Sequence, residues 1–335
     1  MKVAISGIQP TNRLTLGNYL GAIKHFVSLQ DKYKMYIFVA DLHSLSVDFD
    51  EKTLFDNKLN LVLSYLALGL DINKCHLFFQ SDVYPHTELN WIFTCLTTMG
   101  ELSRMTQYKD KTAKLTQQNK TVKLPTGLFM YPVLMAADIA LYNSDIVIVG
   151  ADQKQHVEFA RELIERFNKK YKPVFTVPEP VIAKTGARIM DLLNPEIKMS
   201  KSNTNVNGTI FLLDEPAIAA SKIMKAKTDS LNIIKYDQVK QPGVSNLITI
   251  YHCLTDMPVT DIENKYANAN YGVFKKDLAK IVSDFLINFQ NNYNKQKNNK
   301  EQIFSILAKH ANTCINLTMK KMKEVYEAIG INKSW

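Results

Sequence analysis

Cysteine is scarce: Cys75, Cys95, Cys253 and Cys314 are the only 4 in 335 residues. None forms a C-x-x-C pair, and no histidine stands at zinc-ligand spacing from them. That argues against a disulfide scaffold and against a zinc site, and leaves reduced, mostly buried thiols of a cytosolic protein. Long apolar runs are missing too. The most hydrophobic stretch, Leu59 to Leu70, is broken by Asn60, Ser64 and Gly69. It is too short to span a bilayer and suits a packed helix. At the amino end, the apolar Val3 to Ile8 is too short for a signal peptide. The expectation is a cytoplasmic protein with no membrane association. Arginine is absent from the last third. Ile218 to Trp335 holds 17 lysines, no arginine and 10 acidic residues, which is +7 of the total +9 (41 basic minus 32 acidic). Two readings stay open for this excess. It suits a polyanionic partner such as nucleic acid, and it suits a well-solvated lysine-rich surface, the stronger reading on charge alone.

What is present is ordinary for a globular protein. Hydrophobic residues make up 46% and charged residues 22%, and the length allows a well-buried core and more than one domain. The first half alternates strand-like and helix-like segments. Short apolar runs predict strands over Lys2 to Gly7, Met35 to Ala40, Cys75 to Gln80 and Asp145 to Gly150. Between them, Asn18 to Asp31 has helical spacing through Leu20, Ile23, Val27 and Leu29, and Thr53 to Gly69 reads as a helix stopped by its glycine. Buried strands separated by helices imply an α/β fold, a Rossmann-like doubly wound parallel sheet covered on both faces. Ligands then bind at the carboxyl ends of strands. Those ends are Gly7-Ile8-Gln9-Pro10, Asp41-Leu42-His43 and Gly150-Ala151-Asp152-Gln153. Beyond about residue 205 the strand signal fades, with Ile210 to Leu213 as one last short strand. Helices are expected over Pro216 to Lys227, Ser245 to Leu254, Gly272 to Gln290 and Glu301 to Ile329, and Asn291 to Asn299 reads as an exposed polar connection. The carboxyl-terminal part is thus an all-helical domain.

Two segments carry phosphate chemistry. In Pro10-Thr11-Asn12-Arg13-Leu14-Thr15-Leu16-Gly17-Asn18, Gly17 lets backbone approach a ligand closely. Thr15 and Asn18 stand at a helix start, where free N–H groups favour phosphate. A capped helix with nothing bound explains T-x-G-N equally well. The second segment is Lys198-Met199-Ser200-Lys201-Ser202, after the turn-forming Asn194-Pro195. Two lysines three apart with two hydroxyls suit a triphosphate clamp, each lysine a mobile point charge. Such a composition is also common on surface loops.

Together the two segments resemble the paired signatures of the class I aminoacyl-tRNA synthetases. The first resembles the "HIGH" motif in a Thr-x-Gly-Asn form, with Thr15 and Asn18 at the histidine positions, and the second is an unaltered "KMSKS". Gly150-Ala151-Asp152-Gln153 resembles the G-x-D-Q loop shared by the tyrosine and tryptophan enzymes. Four further runs resemble the tryptophan family: Ser6 to Pro10, Leu134 to Ile139, Asp152 to His156, and Gly186 to Met190. The similarity extends through essentially the whole chain.

The resemblance implies the following. L-tryptophan and ATP are the substrates, Mg²⁺ accompanies ATP, tRNA(Trp) is the acceptor, and the assembly is a homodimer. No dedicated metal site is expected. Asp138 would accept the indole N–H; a carboxylate on the apolar face of Leu134, Met135, Leu141 and Tyr142 is costly unless paired, although a structural aspartate bonding nearby backbone would read the same way. Pro132 was expected in the first turn of that helix. With no other partner, the buried acceptor would also reject phenylalanine. Tyr131 and Gln153 would hold the ammonium group, and Met135, His43, Ile139, Val147 and Val149 would wall the indole. Position 5 is Ile where the family commonly has an aromatic, which alters the packing there. For ATP the resemblance points to Gln9, Pro10, Thr11, Gly17, Asn18, Gly150, Ala151, Asp152, Ile189, Lys198, Met199, Ser200, Lys201 and Ser202. Thr15, Asn18, Lys111, Lys198, Lys201 and Ser202 would act on the reacting phosphates, Lys111 standing before a polar loop, Thr112 to Lys123, longer than in compact relatives. The domains implied are residues 1–194 (catalytic), 195–299 (KMSKS loop and helical anticodon-binding domain) and 300–335 (a helix returning to the catalytic domain). Three other readings stay beside this one: the tyrosine enzyme, a simpler nucleotidyltransferase of the same fold, and a non-catalytic RNA-binding relative. The second usually lacks a long helical domain, and the intact lysines and Asp138 argue against the third.

Overall fold

The computed structural model describes residues 1–10, 13–46, 49–109, 125–150, 153–182, 188–200 and 205–331. Five strands, β1 (Val3–Ile8), β2 (Lys34–Val39), β3 (Cys75–Phe79), β4 (Ile146–Val149) and β5 (Glu179–Ile182), form one sheet in the order β3-β2-β1-β4-β5. Every pairing is parallel, with Ala4 opposite Met35 on one side of β1 and Ile146 on the other. This is the doubly wound arrangement expected from the apolar runs. The fifth strand was not anticipated. Its Glu-Pro-Val-Ile sequence reads poorly as a strand, but at an edge Pro180 forfeits no interior ladder bond.

Alternation along the strands splits the core in two. Ala4, Met35, Ile37, Val39, Leu77, Phe79, Ile146 and Ile148 face one apolar cluster. Ile5, Tyr36, Phe38, Phe78 and Val147 face the other. The first cluster is completed by α1 and α3. Helix α1 is not the single regular helix expected: an α-turn over Leu16–Asn18 passes into a π-helical stretch, Tyr19–Ile23, and returns to α over Lys24–Leu29. After α2 (Asp41–Ser44), helix α3 (Glu51–Ala67) starts at an Asp50 cap, and the chain turns away at Gly69, whose φ of 101° suits glycine. The second cluster is covered by α4 (Pro85–Thr94), α5 (Met99–Ser103), α6 (Thr126–Ala140) and α7 (Lys154–Lys170). Pro132 lies inside α6 rather than in its first turn, so the helix begins earlier than expected and the Leu128 carbonyl has no helical donor.

The rest is helical: α8 (Pro216–Met224), α9 (Pro242–Thr255), α10 (Val259–Lys265), α11 (Tyr271–Asn298) and α12 (Lys300–Ile329). Two expectations fail here. Residues 291–299 are largely exposed, as expected, but they are the last turns of α11 and its cap rather than a connection. Buried Phe289 and Tyr293 keep that helix in register, and the Tyr293 hydroxyl donates to Asn60 Oδ1 on α3 at 2.7 Å. Residues 210–213 form no strand. Only an isolated bridge joins Phe211 to Thr15, flanked by Leu16 N to Ile210 O and Leu212 N to Leu14 O, both 2.9 Å.

Helix α12 touches both cores. Ile303 and Leu307 join the first cluster, and Ala311, Cys314, Met322 and Val325 the second. It runs along edge strand β3, where the Leu77 N–H donates to His310 Nδ1 at 3.1 Å, so an outward backbone donor is satisfied by a side chain. Cys75, Cys253 and Cys314 are buried free thiols, and Cys95 is exposed. No helix among the described residues is long and apolar enough to cross a membrane.

Helix α9 docks through Gly243, where a Cβ would lie 2.1 Å from the Lys227 carbonyl oxygen. Gly243→Ala is therefore expected to cost about 1–3 kcal/mol and lower the thermal midpoint. Gly100→Ala, with nothing within 4 Å of its Cβ, should be near neutral. Equal melting of the two variants would contradict this packing.

Candidate active site

The strand order reverses between β1 and β4, so their carboxyl ends flank the switch point. Past β1, the Gln9 amide donates to the His43 carbonyl at 3.3 Å. Thr15 then caps α1 reciprocally with Asn18: the Asn18 N–H reaches the Thr15 hydroxyl at 3.1 Å, and the Thr15 N–H reaches Asn18 Oδ1 at 3.0 Å. The Thr15 hydroxyl also donates to Asn18 Oδ1, at 3.1 Å. A rigid helix start is thereby presented at the strand end.

The second motif segment rides on a short hairpin. Met199 N donates to Ile189 O and Asp191 N to Ile197 O, both at 2.9 Å, with Met190 and Lys198 bridged between them. In such a ladder the peptide groups of Met190 point outward. Asn246 of α9 takes both: its Oδ1 accepts from Met190 N and its Nδ2 donates to Met190 O, each at 2.9 Å. Asp191 Oδ1 closes the turn by accepting from Leu193 N and Asn194 N. Beyond the hairpin, the Thr209 hydroxyl donates to the Ser200 carbonyl at 3.2 Å, and Lys222 joins Thr209 O to Asp214, 2.7 Å each. Arg13 pairs with the same Asp214 at 2.9 Å and lies over Phe211, 4.1 Å from the ring centre. The two motif segments are thus fastened together. Gly17 sits at their contact, where a Cβ would lie 3.6 Å from that of Ile189 and 3.7 Å from that of Met199. Lys198 is exposed there.

On the other side of the sheet lies Asp138, 1% exposed. It is not without partners, as the sequence suggested. Its Oδ1 receives Gln80 Nε2 at 2.8 Å and His86 Nδ1 at 2.6 Å, and its Oδ2 receives His43 Nε2 at 2.8 Å. Burial pushes the carboxyl up, but the hydrogen bonds and charges of His43 and His86 outweigh it and bring the pKa down to about 2. Asp138 is therefore an ionised acceptor, and each facing ring nitrogen carries a hydrogen. A carboxylate has roughly four acceptor positions; among the described residues three are filled, which leaves the fourth on Oδ2.

Around it, Ile139 and Val147 are buried in the second cluster, with Met135 and Val149 packed against it. His43 is more than a wall, since it grips the carboxylate. Tyr131 faces His43 edge-on at 6.2 Å. Its hydroxyl meets His156 Nε2 at 2.6 Å and Gln107 Oε1 at 3.1 Å. Gln153 caps α7 just before His156. Ile5 is fully packed beside Val147 in the pairing of β1 with β4. Thr11, Lys111, Ala151, Asp152, Lys201, Ser202 and the loop of residues 112–123 lie outside the described residues. Among the described residues, no group of three or more His, Cys, Asp or Glu side chains is placed to hold a metal ion.

The sequence reading missed Gln80, His86, His156, Gln107 and Asn246. A signal existed for the first two. Gln80 opens the turn that ends β3, and His86 follows within the same segment, so the rule applied to the other strand ends points there as well.

Comparison with known proteins agrees with this geometry. Residues 2–287 match the family described as tRNA synthetases class I (W and Y), and the chain belongs to that family. Within it, the chain is similar to ligases for tryptophan. It is 53% identical to the tryptophan–tRNA ligase of Malacoplasma penetrans over 99% of this chain and 98% of that protein. It is 56% identical to that of Ureaplasma parvum, over 87% of this chain and 88% of that one. Among solved structures, the tryptophanyl-tRNA synthetase from Mycoplasma pneumoniae superposes with a TM-score of 0.91 at 39% identity, covering 99% of this chain and 98% of that one. The Campylobacter jejuni enzyme, complexed with ADP and tryptophan, gives 0.81 at 34% identity over 98% of this chain and 100% of that one.

The Asp138 pKa sets a direction for acid stability. The folded value lies below the unfolded one of about 3.9, so its contribution is complete above about pH 4 and is lost as pH falls toward about 2, an effect on the order of 2 kcal/mol. Denaturant unfolding across that window should show wild type losing more stability than Asp138→Asn. Parallel losses would mean that the carboxylate is not held as described.

Proposed function

We infer that this protein joins L-tryptophan to tRNA(Trp) at the expense of ATP. Similarity along the full chain supports the reaction, and the buried, ionised Asp138 with one acceptor position left on Oδ2 carries the amino-acid selection. The indole N–H fills that position. A substrate without such a donor leaves it unsatisfied in a dry pocket, which is a strong basis for rejection. Met135, Ile139, Val147 and Val149 supply the apolar walls and His43 the wall nearest the carboxylate, while Tyr131 and Gln153 take the ammonium group. Support for the Tyr131 role is its phenol, set between His156 and Gln107 at a fixed position.

ATP lies across the switch point. Gln9 and Pro10 follow β1 beneath it, Thr11 belongs to the same set, and Gly17 and Asn18 offer a close backbone and a helix start. Gly150 and Asp152 meet the ribose, with Ala151 between them also at the nucleotide, and Ile189 meets the adenine through its backbone. Lys198, Met199, Ser200, Lys201 and Ser202 follow the triphosphate, with Lys111 on the leaving group and Thr15 holding the helix start in shape. The tryptophan carboxylate oxygen attacks the α-phosphorus in line, the bond to the bridging oxygen breaks, and pyrophosphate leaves from tryptophanyl-adenylate. The terminal ribose hydroxyl of tRNA then attacks the carbonyl carbon, and AMP departs. No side chain forms a covalent bond. The protein contributes positioning and stabilisation of charge on the phosphates. Mg²⁺ enters as part of the MgATP substrate, held by phosphates and water, and no step is assigned to a protein-bound metal.

Within residues 195–299, which carry the KMSKS segment, the helices from Pro216 onward read the anticodon, with their lysines adding salt-dependent affinity, and residues 300–335, which carry α12, belong with the catalytic domain. Two chains form the working homodimer, and the reaction takes place in the cytoplasm, where tRNA is charged.

ATP–pyrophosphate exchange tests the reading directly. Exchange should depend on tryptophan and not on tyrosine; exchange with tyrosine alone would refute it. In Asp138→Asn, kcat/KM for tryptophan should fall on the order of tenfold or more, since a charged acceptor is lost, while the KM for ATP stays put. Equal weakening of both substrates would count against Asp138 as the indole acceptor.

A further inference from the structure

The reaction above gives no task to His86 or Tyr142, yet both are among the most buried polar side chains in the molecule, at 0% and 3% exposure. We propose that His86 and Tyr142 are positioning residues for amino-acid selection, locking Oδ1 of Asp138 so that Oδ2 alone receives the indole N–H. The proposal rests on the Asp138 reading and extends it.

The argument is one of hydrogens. His86 Nδ1 stands 2.6 Å from Asp138 Oδ1, and a carboxylate only accepts, so Nδ1 carries a hydrogen. On the opposite edge, His86 Nε2 stands 2.9 Å from the Tyr142 hydroxyl. Burial holds the Tyr142 phenol well above its usual range, so it stays protonated, and its 2.9 Å contact with Nε2 anchors the edge of the ring opposite Asp138. Tyr142 and Cys314 of α12 are buried in the same apolar cluster.

The ring cannot swing away. Phe38, Phe78 and Tyr142 surround it, with centroids 5.8, 6.3 and 5.6 Å from its own. Gln80 fills the second position on Oδ1. A carboxylate held so cannot rotate to offer Oδ1, and its open position stays on Oδ2 beside His43.

The test compares two amide replacements in the full-length protein. In His86→Asn the amide nitrogen falls near the Nδ1 position and keeps a donor for Oδ1; in His86→Gln it falls near the Nε2 position and does not. The readout is the preference, in kcat/KM for ATP–pyrophosphate exchange, for tryptophan over its benzothiophene analogue, in which sulfur replaces the ring N–H. His86→Asn should stay within about threefold of wild type. His86→Gln should lose on the order of tenfold, expressed in the KM for tryptophan with the KM for ATP unchanged. Tyr142→Phe, a milder change that keeps the packing, should lose a few-fold by removing the hydrogen bond that anchors the Nε2 edge of the ring. If the Asn and Gln variants behave alike, or the KM for ATP moves with that for tryptophan, this inference is overturned while the Asp138 reading stands. If wild type does not distinguish the two amino acids, the Asp138 reading falls and takes this inference with it.

Discussion

A charge removed from water has to be compensated inside the protein, and Asp138 is compensated by three side chains from two places in the chain. His43 comes from just past β2, and Gln80 and His86 from just past β3. All three therefore arrive at the same end of the sheet, because parallel strands put their carboxyl ends together. Had the compensation been weaker, the group would have taken up a proton and ceased to be a strong acceptor. Much of what is polar on that side of the sheet exists to keep one carboxylate ionised where no solvent reaches it.

The nucleotide side is organised differently, by backbone rather than by charge. A short hairpin carries the first half of the lysine motif, and its outward peptide is matched atom for atom by Asn246 from the helical part of the chain. The facing loop is tied to the far side of that hairpin through Asp214, Lys222 and Arg13. Helix α9 and the hairpin are consequently joined directly, through Asn246 and the backbone of Met190.

Much of this was legible in the sequence. Four of the five strands stand out as short apolar runs, and their ends point to the site, because burial on both faces writes itself as continuous hydrophobicity. The fifth does not, since its central proline is acceptable only at an edge, which is a property of the assembled sheet. The polar run of residues 291–299 misled for a related reason: a single buried tyrosine, bonded to Asn60 across 233 positions, is enough to carry the helix on. Asp138 was found through family resemblance, supported by its apolar face. Its partners could not be found that way, because they stand 52, 58 and 95 positions from it. No local pattern encodes which distant side chain will complete a carboxylate, although the end of β3 was open to the same rule as its neighbours.

Helix α12 gives this architecture a schedule. It furnishes side chains to the cores on both faces of the sheet and seals the backbone of β3 from 233 positions away. While the polypeptide is being made, strands and early helices emerge with those two surfaces still open. A ribosome halfway along the message thus holds a partly assembled sheet with greasy flanks, the kind of species that chaperones attend to. Final closure, and with it the packing of Cys314 into the core beside Tyr142, waits until helix α12 has been made.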